Sequence, residues 1–151
     1  MTMSRQCLSI ALALFLALAP VKASAQFQNS DTGDVMAGQL SAAAAVGTYY
    51  SPKLRNQSAH ALKCLVSISS VAAGGTLTVT LTGVDAASGH TYTLLASASL
   101  NSAGDTLLEV GPGVTTGTNT AASVFVPATW QVKAVTATAT VAATIGCSLL
   151  E

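Results

Sequence analysis

Leu77, Val79 and Leu81 alternate with Thr78, Thr80 and Thr82. A segment that changes from apolar to hydroxylated at every residue buries one set of side chains only as a strand with one face against a core. The same two-residue period places Leu62, Cys64, Val66 and Ile68 on one face and Lys63, Ser67 and Ser69 on the other, with Leu65 as the exception. Gly74-Gly75 breaks the chain between these segments. Asp85-Ala86-Ala87-Ser88-Gly89 is a tight connection, because an Asp side chain accepts from the amides that follow it and Gly tolerates positive φ. Val79 to Ala96 is therefore expected to be a hairpin.

Further strands are expected at Thr91 to Ser97, Thr106 to Val110, Ser123 to Val126, Thr129 to Ala137 and Thr140 to Leu149. Their separators are Asn101 to Gly104, Gly111-Pro112-Gly113, Pro127 and a weakly marked turn near Thr138. The only helix-prone run, Ala42 to Val46, is too short to hold a helix in water. The pattern predicts an all-β fold, an antiparallel β-sandwich of about seven or eight short strands, with a small β-barrel as the alternative.

The N-terminus reads as a secretory signal. Met1 to Gln6 includes Arg5, Cys7 to Ala19 is an apolar run too short to span a bilayer, and Ala23-Ser24-Ala25 offers small residues to a signal peptidase. Cleavage after Ala25 leaves 126 residues beginning at Gln26, enough for one domain with a real core. The expected organisation is a signal over 1–25, a flexible N-terminal arm over 26–41 and a single β-sandwich over 42–151. The arm is expected because Gln28 to Asp34 is polar and carries no apolar period.

Charge narrows the partners. Lys53, Arg55, Lys63 and Lys133 face six acidic residues in the mature part, and charged residues make up 8% of the whole chain against about 25% in ordinary domains. No basic patch draws the chain to nucleic acid or to anionic lipid, and no membrane partner is expected after signal cleavage. A weakly charged surface repels copies of itself little.

Cys7 leaves with the signal, so Cys64 and Cys147 are the two mature cysteines. In an oxidising compartment they are expected to pair, since both fall on apolar strand faces, Cys147 in phase with Val141, Ala143, Ile145 and Leu149. Closing a loop of roughly 80 residues would stabilise by about 3–5 kcal/mol in the chain-entropy description.

Catalytic signals are poor. Asp31-Thr32-Gly33 matches the aspartic-protease triplet but lacks a second copy and an apolar strand around it. His60 and His90 have no carboxylate at a ligand spacing and read as a strand start and a turn neighbour. No Gly-x-Ser-x-Gly elbow presents a nucleophile, and neither Gly74-Gly75 nor Gly111-x-Gly113 precedes a helix that could hold phosphate. No catalytic residue, metal or cofactor is expected. Trp130 reads as a core anchor in phase with Val132 and Ala134, while Tyr49-Tyr50 must point to opposite sides of a strand. Together with Tyr92 these rings are the candidates for a sugar-stacking platform.

The stretch Val79 to Leu150 resembles a group of small phage virion proteins. The resemblance is carried by Leu81-Thr82-Gly83-Val84-Asp85-Ala86-Ala87-Ser88-Gly89-His90-Thr91-Tyr92-Thr93-Leu94-Leu95, then Val110-Gly111-Pro112-Gly113-Val114-Thr115, Val126-Pro127-Ala128-Thr129-Trp130-Gln131-Val132 and Ile145-Gly146-Cys147-Ser148-Leu149-Leu150. It implies a head-surface or tail subunit on a β-sandwich, with no catalytic residues. The signal and the cysteine pair depart from virion proteins assembled in the cytoplasm, so a bacterial exported protein on the same sandwich is the other origin.

The expected function is a non-catalytic structural subunit of an extracellular or virion-like assembly, acting through protein–protein contacts with other copies of itself or with a virion or cell-surface protein. A secreted carbohydrate-binding or adhesive module, with a glycan as ligand, is the alternative, and a small secreted hydrolase is a remote one. The expected location is secreted, periplasmic or extracellular, or the virion surface if a phage encodes the chain.

Overall fold

The structure is a computed structural model that describes residues 26–29, 35–40, 45–56 and 59–150. The signal segment and the Asp31-Thr32-Gly33 triplet lie outside the described residues, as do Ala42 to Ala44 of the alanine run. In chain order the strands are β1 (Gln26–Asn29), β2 (Val35–Leu40), β3 (Gly47–Tyr50), β4 (Leu54–Arg55), β5 (Ala61–Val71), β6 (Thr76–Val84), β7 (Thr91–Ala96), β8 (Gly104–Val110), β9 (Ala121–Ala122), β10 (Thr129–Ala137) and β11 (Val141–Leu150). No helix occurs among the described residues.

These strands form two sheets. The front sheet has the order β1-β2-β11-β5-β8-β9, antiparallel throughout except for the short parallel pair β8/β9. The back sheet has the order β3-β10-β6-β7, with β4 pairing further along β10 on the same side as β3. The outer strands do not pair with one another, so neither sheet closes into a barrel and the fold is a β-sandwich. Between residues 42 and 151 seven strands are four residues or longer, which matches the number expected from the sequence.

Alternation fills the space between the sheets. Leu62, Cys64, Val66 and Ile68 of β5 and Val141, Ala143, Ile145, Cys147 and Leu149 of β11 face Leu77, Val79 and Leu81 of β6 and Trp130, Val132 and Ala134 of β10, all buried. Each fully buried Leu, Ile or Val contributes about 1.5–3 kcal/mol of transfer free energy. The period-two pattern is thus the direct cause of the two-layer core.

Two crossings between the sheets, β5 to β6 and β10 to β11, lie side by side at one end. The Ala72 amide donates to the Thr140 carbonyl (3.0 Å), and Gly74, at φ 77°, sits against the methyl of Thr138. At the other end the β6–β7 hairpin forms as expected. Asp85 Oδ1 accepts from the amides of Ala87 (3.1 Å) and Ser88 (2.7 Å), and Gly89 takes φ 70°.

One expectation differs from the fold. No strand forms at Ser123 to Val126, and the edge of β8 is met instead by Ala121–Ala122. Pro127 has no amide to donate, and the Val126 carbonyl is taken by the side-chain amide of the distant Asn56 (3.1 Å) rather than by a strand. Within the segment expected to be an arm, Gln26–Asn29 and Val35–Leu40 are extended and pair, β2 lying on β11 from Leu40 opposite Ala143 to Val35 opposite Ser148.

Candidate interaction surfaces

Cys64 and Cys147 stand directly opposite each other on neighbouring strands β5 and β11, Cα atoms 4.0 Å apart, and are joined by a disulfide. Both are buried, so the bond ties the two central strands of the front sheet from inside the core. Such a bond is compatible with an extracellular or periplasmic location.

The candidate sugar platform is not assembled. Trp130 is 2% exposed, and its indole Nε1 has no hydrogen-bond partner among the described residues. Tyr50 is exposed on edge strand β3, opposite Lys133 of β10. Tyr92 is exposed on the other edge strand of the same sheet, where its ring lies over Gly83, so that a Cβ there would overlap the ring. Tyr49 packs against the core and donates its hydroxyl hydrogen to the Ala45 carbonyl (2.6 Å), so Tyr49 and Tyr50 do point to opposite sides. His60 and His90 are exposed, one just before β5 and one just after the Asp85 turn. Among the described residues no three His, Cys, Asp or Glu side chains gather as metal ligands.

What the exterior does gather is apolar. On the outer face of the front sheet, Leu65 of β5 is directly opposite Leu107 of β8, and on its other side opposite Gly146 of β11. Leu65 is 46% and Leu107 48% exposed, with no larger side chain from Gly146 to cover them. The next cross-strand row holds Lys63 and Glu109, a partly exposed ion pair at 2.8 Å, which is worth at most about 1 kcal/mol. In the loop before β10, Phe125 is 77% exposed beside buried Val126.

Leu65 was visible in the sequence as the break in its strand's alternation. Leu107 was equally legible, because consecutive Leu107 and Leu108 on one strand must face opposite ways. Phe125 was not: Val124-Phe125-Val126 reads as strand, whereas the segment is irregular and the ring is exposed.

Among the described residues Asp85 is the one group with a displaced titration. Hydrogen bonds from the Ser88 hydroxyl and then the Ser88 amide hold its carboxyl below the ordinary Asp range. These bonds fix a turn and involve no nucleophile or base partner.

Together these features define an all-β, disulfide-linked sandwich with an exposed apolar strip on one sheet. Comparison with protein-family models, curated proteins and solved structures finds no match for the chain.

Proposed function

We propose that this protein is a non-catalytic structural subunit of an extracellular or virion-like assembly, acting through contacts with other copies of itself or with a surface protein. The observation that carries the reading is the Leu65–Leu107 pair: two opposed leucines, each about half exposed, on the neighbouring strands β5 and β8 of a sheet's outer face. Burying such a pair on a neighbour removes apolar area from water, and a chain with 8% charged residues opposes that approach little. The resemblance of Val79 to Leu150 to small phage virion proteins supports the same reading, as do the secretory features of the N-terminus and the buried disulfide for an exported product.

Size-exclusion chromatography with light scattering on the exported protein tests the proposal. An oligomer or filament is the expected result. A monomer that is retained on a polysaccharide resin would replace it with the carbohydrate-binding reading.

A further inference from the structure

A strand edge presents unpaired amides and carbonyls that template the addition of another strand. Three of the four lateral edges here carry a device that discourages this. On β3/β4 the run is interrupted at Ser51-Pro52-Lys53 and followed by Arg55, so it lacks a donor and places charges outward. On β7 an extra residue, Leu94, bulges between the pairs Leu81–Leu95 and Thr82–Thr93. On the β8 side the last strand is the two-residue β9.

The fourth edge is β1, which together with β2 covers the β11 side of the sandwich. Strand β11, Val141–Leu150, is ten residues long and contains neither a charged residue nor proline. Its edge is covered over Ala143–Ser148 by β2, and β2 in turn by β1. The β1/β2 unit precedes the sandwich and connects to it only through residues 41–46, Ser-Ala-Ala-Ala-Ala-Val, which include no glycine or proline. Within one chain the link runs between Leu40, opposite Ala143 in the front sheet, and Gly47, opposite Thr136 in the back sheet. Six residues reach at most about 20 Å.

Building on the assembly reading above, we propose that the β1/β2 unit is donated to the β11 edge of a second copy, so that copies link head to tail by strand exchange. The exchanged pairing makes the same main-chain hydrogen bonds as the pairing within one chain, so neither form is favoured by the ladder itself. Within one chain the tether holds β2 at an effective concentration on the order of millimolar, which favours the closed form when the protein is dilute. A new contact between copies tips the balance. Ala37 of β2 is opposite Gly146, Gly146 opposite Leu65 and Leu65 opposite Leu107, so a donated β2 arrives in the same cross-strand row as the exposed leucines. A head-to-tail contact of this kind continues into a ring or a filament.

Cysteine pairing across the β2/β11 register tests the exchange. Gln39 is opposite Thr144, and Val35 opposite Ser148. Full-length Gln39→Cys and Thr144→Cys variants, each alone in its chain, are mixed, concentrated to the range in which the wild type associates, mildly oxidised and peptide-mapped. Val35→Cys with Ser148→Cys serves as an independent second pair, and a chain carrying both Gln39→Cys and Thr144→Cys checks the register in dilute protein. The expected result is a covalent dimer linked 39 to 144, or 35 to 148, that increases with concentration, and an intrachain link in the dilute double variant. Association of the wild type without a link between copies in either pair overturns the exchange while leaving assembly by another surface intact. Absence of the link in the double variant, within or between chains, also overturns it. A wild type that remains monomeric at all concentrations overturns both the exchange and the assembly reading.

Discussion

Ser51 and Ser97 perform the same task on opposite edges of the back sheet. Each is buried at the point where an edge strand ends. The Ser51 amide donates to the Val132 carbonyl (2.9 Å), its Oγ accepts from the Val132 amide (2.9 Å), and its hydroxyl donates to the Pro52 carbonyl (2.7 Å). The Ser97 amide donates to the Val79 carbonyl (2.8 Å), its Oγ accepts from the Val79 amide (2.9 Å), and its hydroxyl donates to the Ala98 carbonyl (2.7 Å). In both cases a hydroxyl substitutes for the missing strand carbonyl, and the central strand keeps its ladder satisfied after its neighbour has departed.

Replacing either serine by alanine leaves a buried amide, of Val132 or Val79, without an acceptor. Ser51→Ala and Ser97→Ala are each expected to destabilise by about 1–3 kcal/mol. The two sites share no partner, so the double variant should be close to additive. Urea denaturation monitored by Trp130 fluorescence measures all three.

The Asp85 turn gives a pH-dependent prediction. Its carboxyl titrates below the ordinary Asp range because the Ser88 hydroxyl, then the Ser88 amide, donate to Oδ1. A group whose folded pKa is depressed adds stability above its unfolded pKa and loses it as pH falls through the folded value. Ser88→Ala removes the largest of these effects, so the Asp85 pKa is expected to rise toward the ordinary value in an NMR titration, with no change at neutral pH in the fold. An unchanged pKa would mean that the hydroxyl does not act on the carboxylate.

Thr138 connects β10 to β11 at φ 69°, a left-handed conformation costly for a β-branched residue. The turn is closed by the Ala139 amide on the Ala137 carbonyl (2.8 Å). Thr138→Gly relieves the backbone strain at the cost of a more flexible unfolded chain, and a net gain of up to about 1 kcal/mol is expected. Thermal unfolding measures it as a small rise in Tm.

Cys64→Ala with Cys147→Ala is expected to lower stability by about 2–5 kcal/mol while leaving the sandwich topology intact, because the same strands remain paired on either side of the site. Denaturant titration gives the loss, and peptide mapping without reductant of the wild type identifies the bridge.

The strands of the core were legible because each carries its apolar residues at a spacing of two: β6 from Leu77, Val79 and Leu81, and β10 with bounds of Thr129–Ala137 as read from the residues alone. The cysteine pair was legible by phase and by count. Long-range pairing was not, since nothing local in Cys64 or Cys147 says that β5 and β11 are immediate neighbours rather than partners across the core. Ser51 and Ser97 were also hidden, because a serine at a strand end looks the same in sequence whether its hydroxyl meets water or a buried amide. The 123–126 segment misled because its apolar run suits a strand, while it is followed by Pro127 and its Val126 carbonyl is taken by Asn56, some 70 positions away.

Sedimentation velocity on the wild type beside Leu65→Asn/Leu107→Asn tests the central claim most directly. Both side chains are half exposed on an outer face, so their replacement should leave folding stability within about 1 kcal/mol. The account predicts a wild type that sediments as an oligomer or larger species with increasing concentration and a double variant that associates at least about tenfold more weakly, the equivalent of about 1.4 kcal/mol. Equal association of the two proteins, or a monomeric wild type, would contradict it.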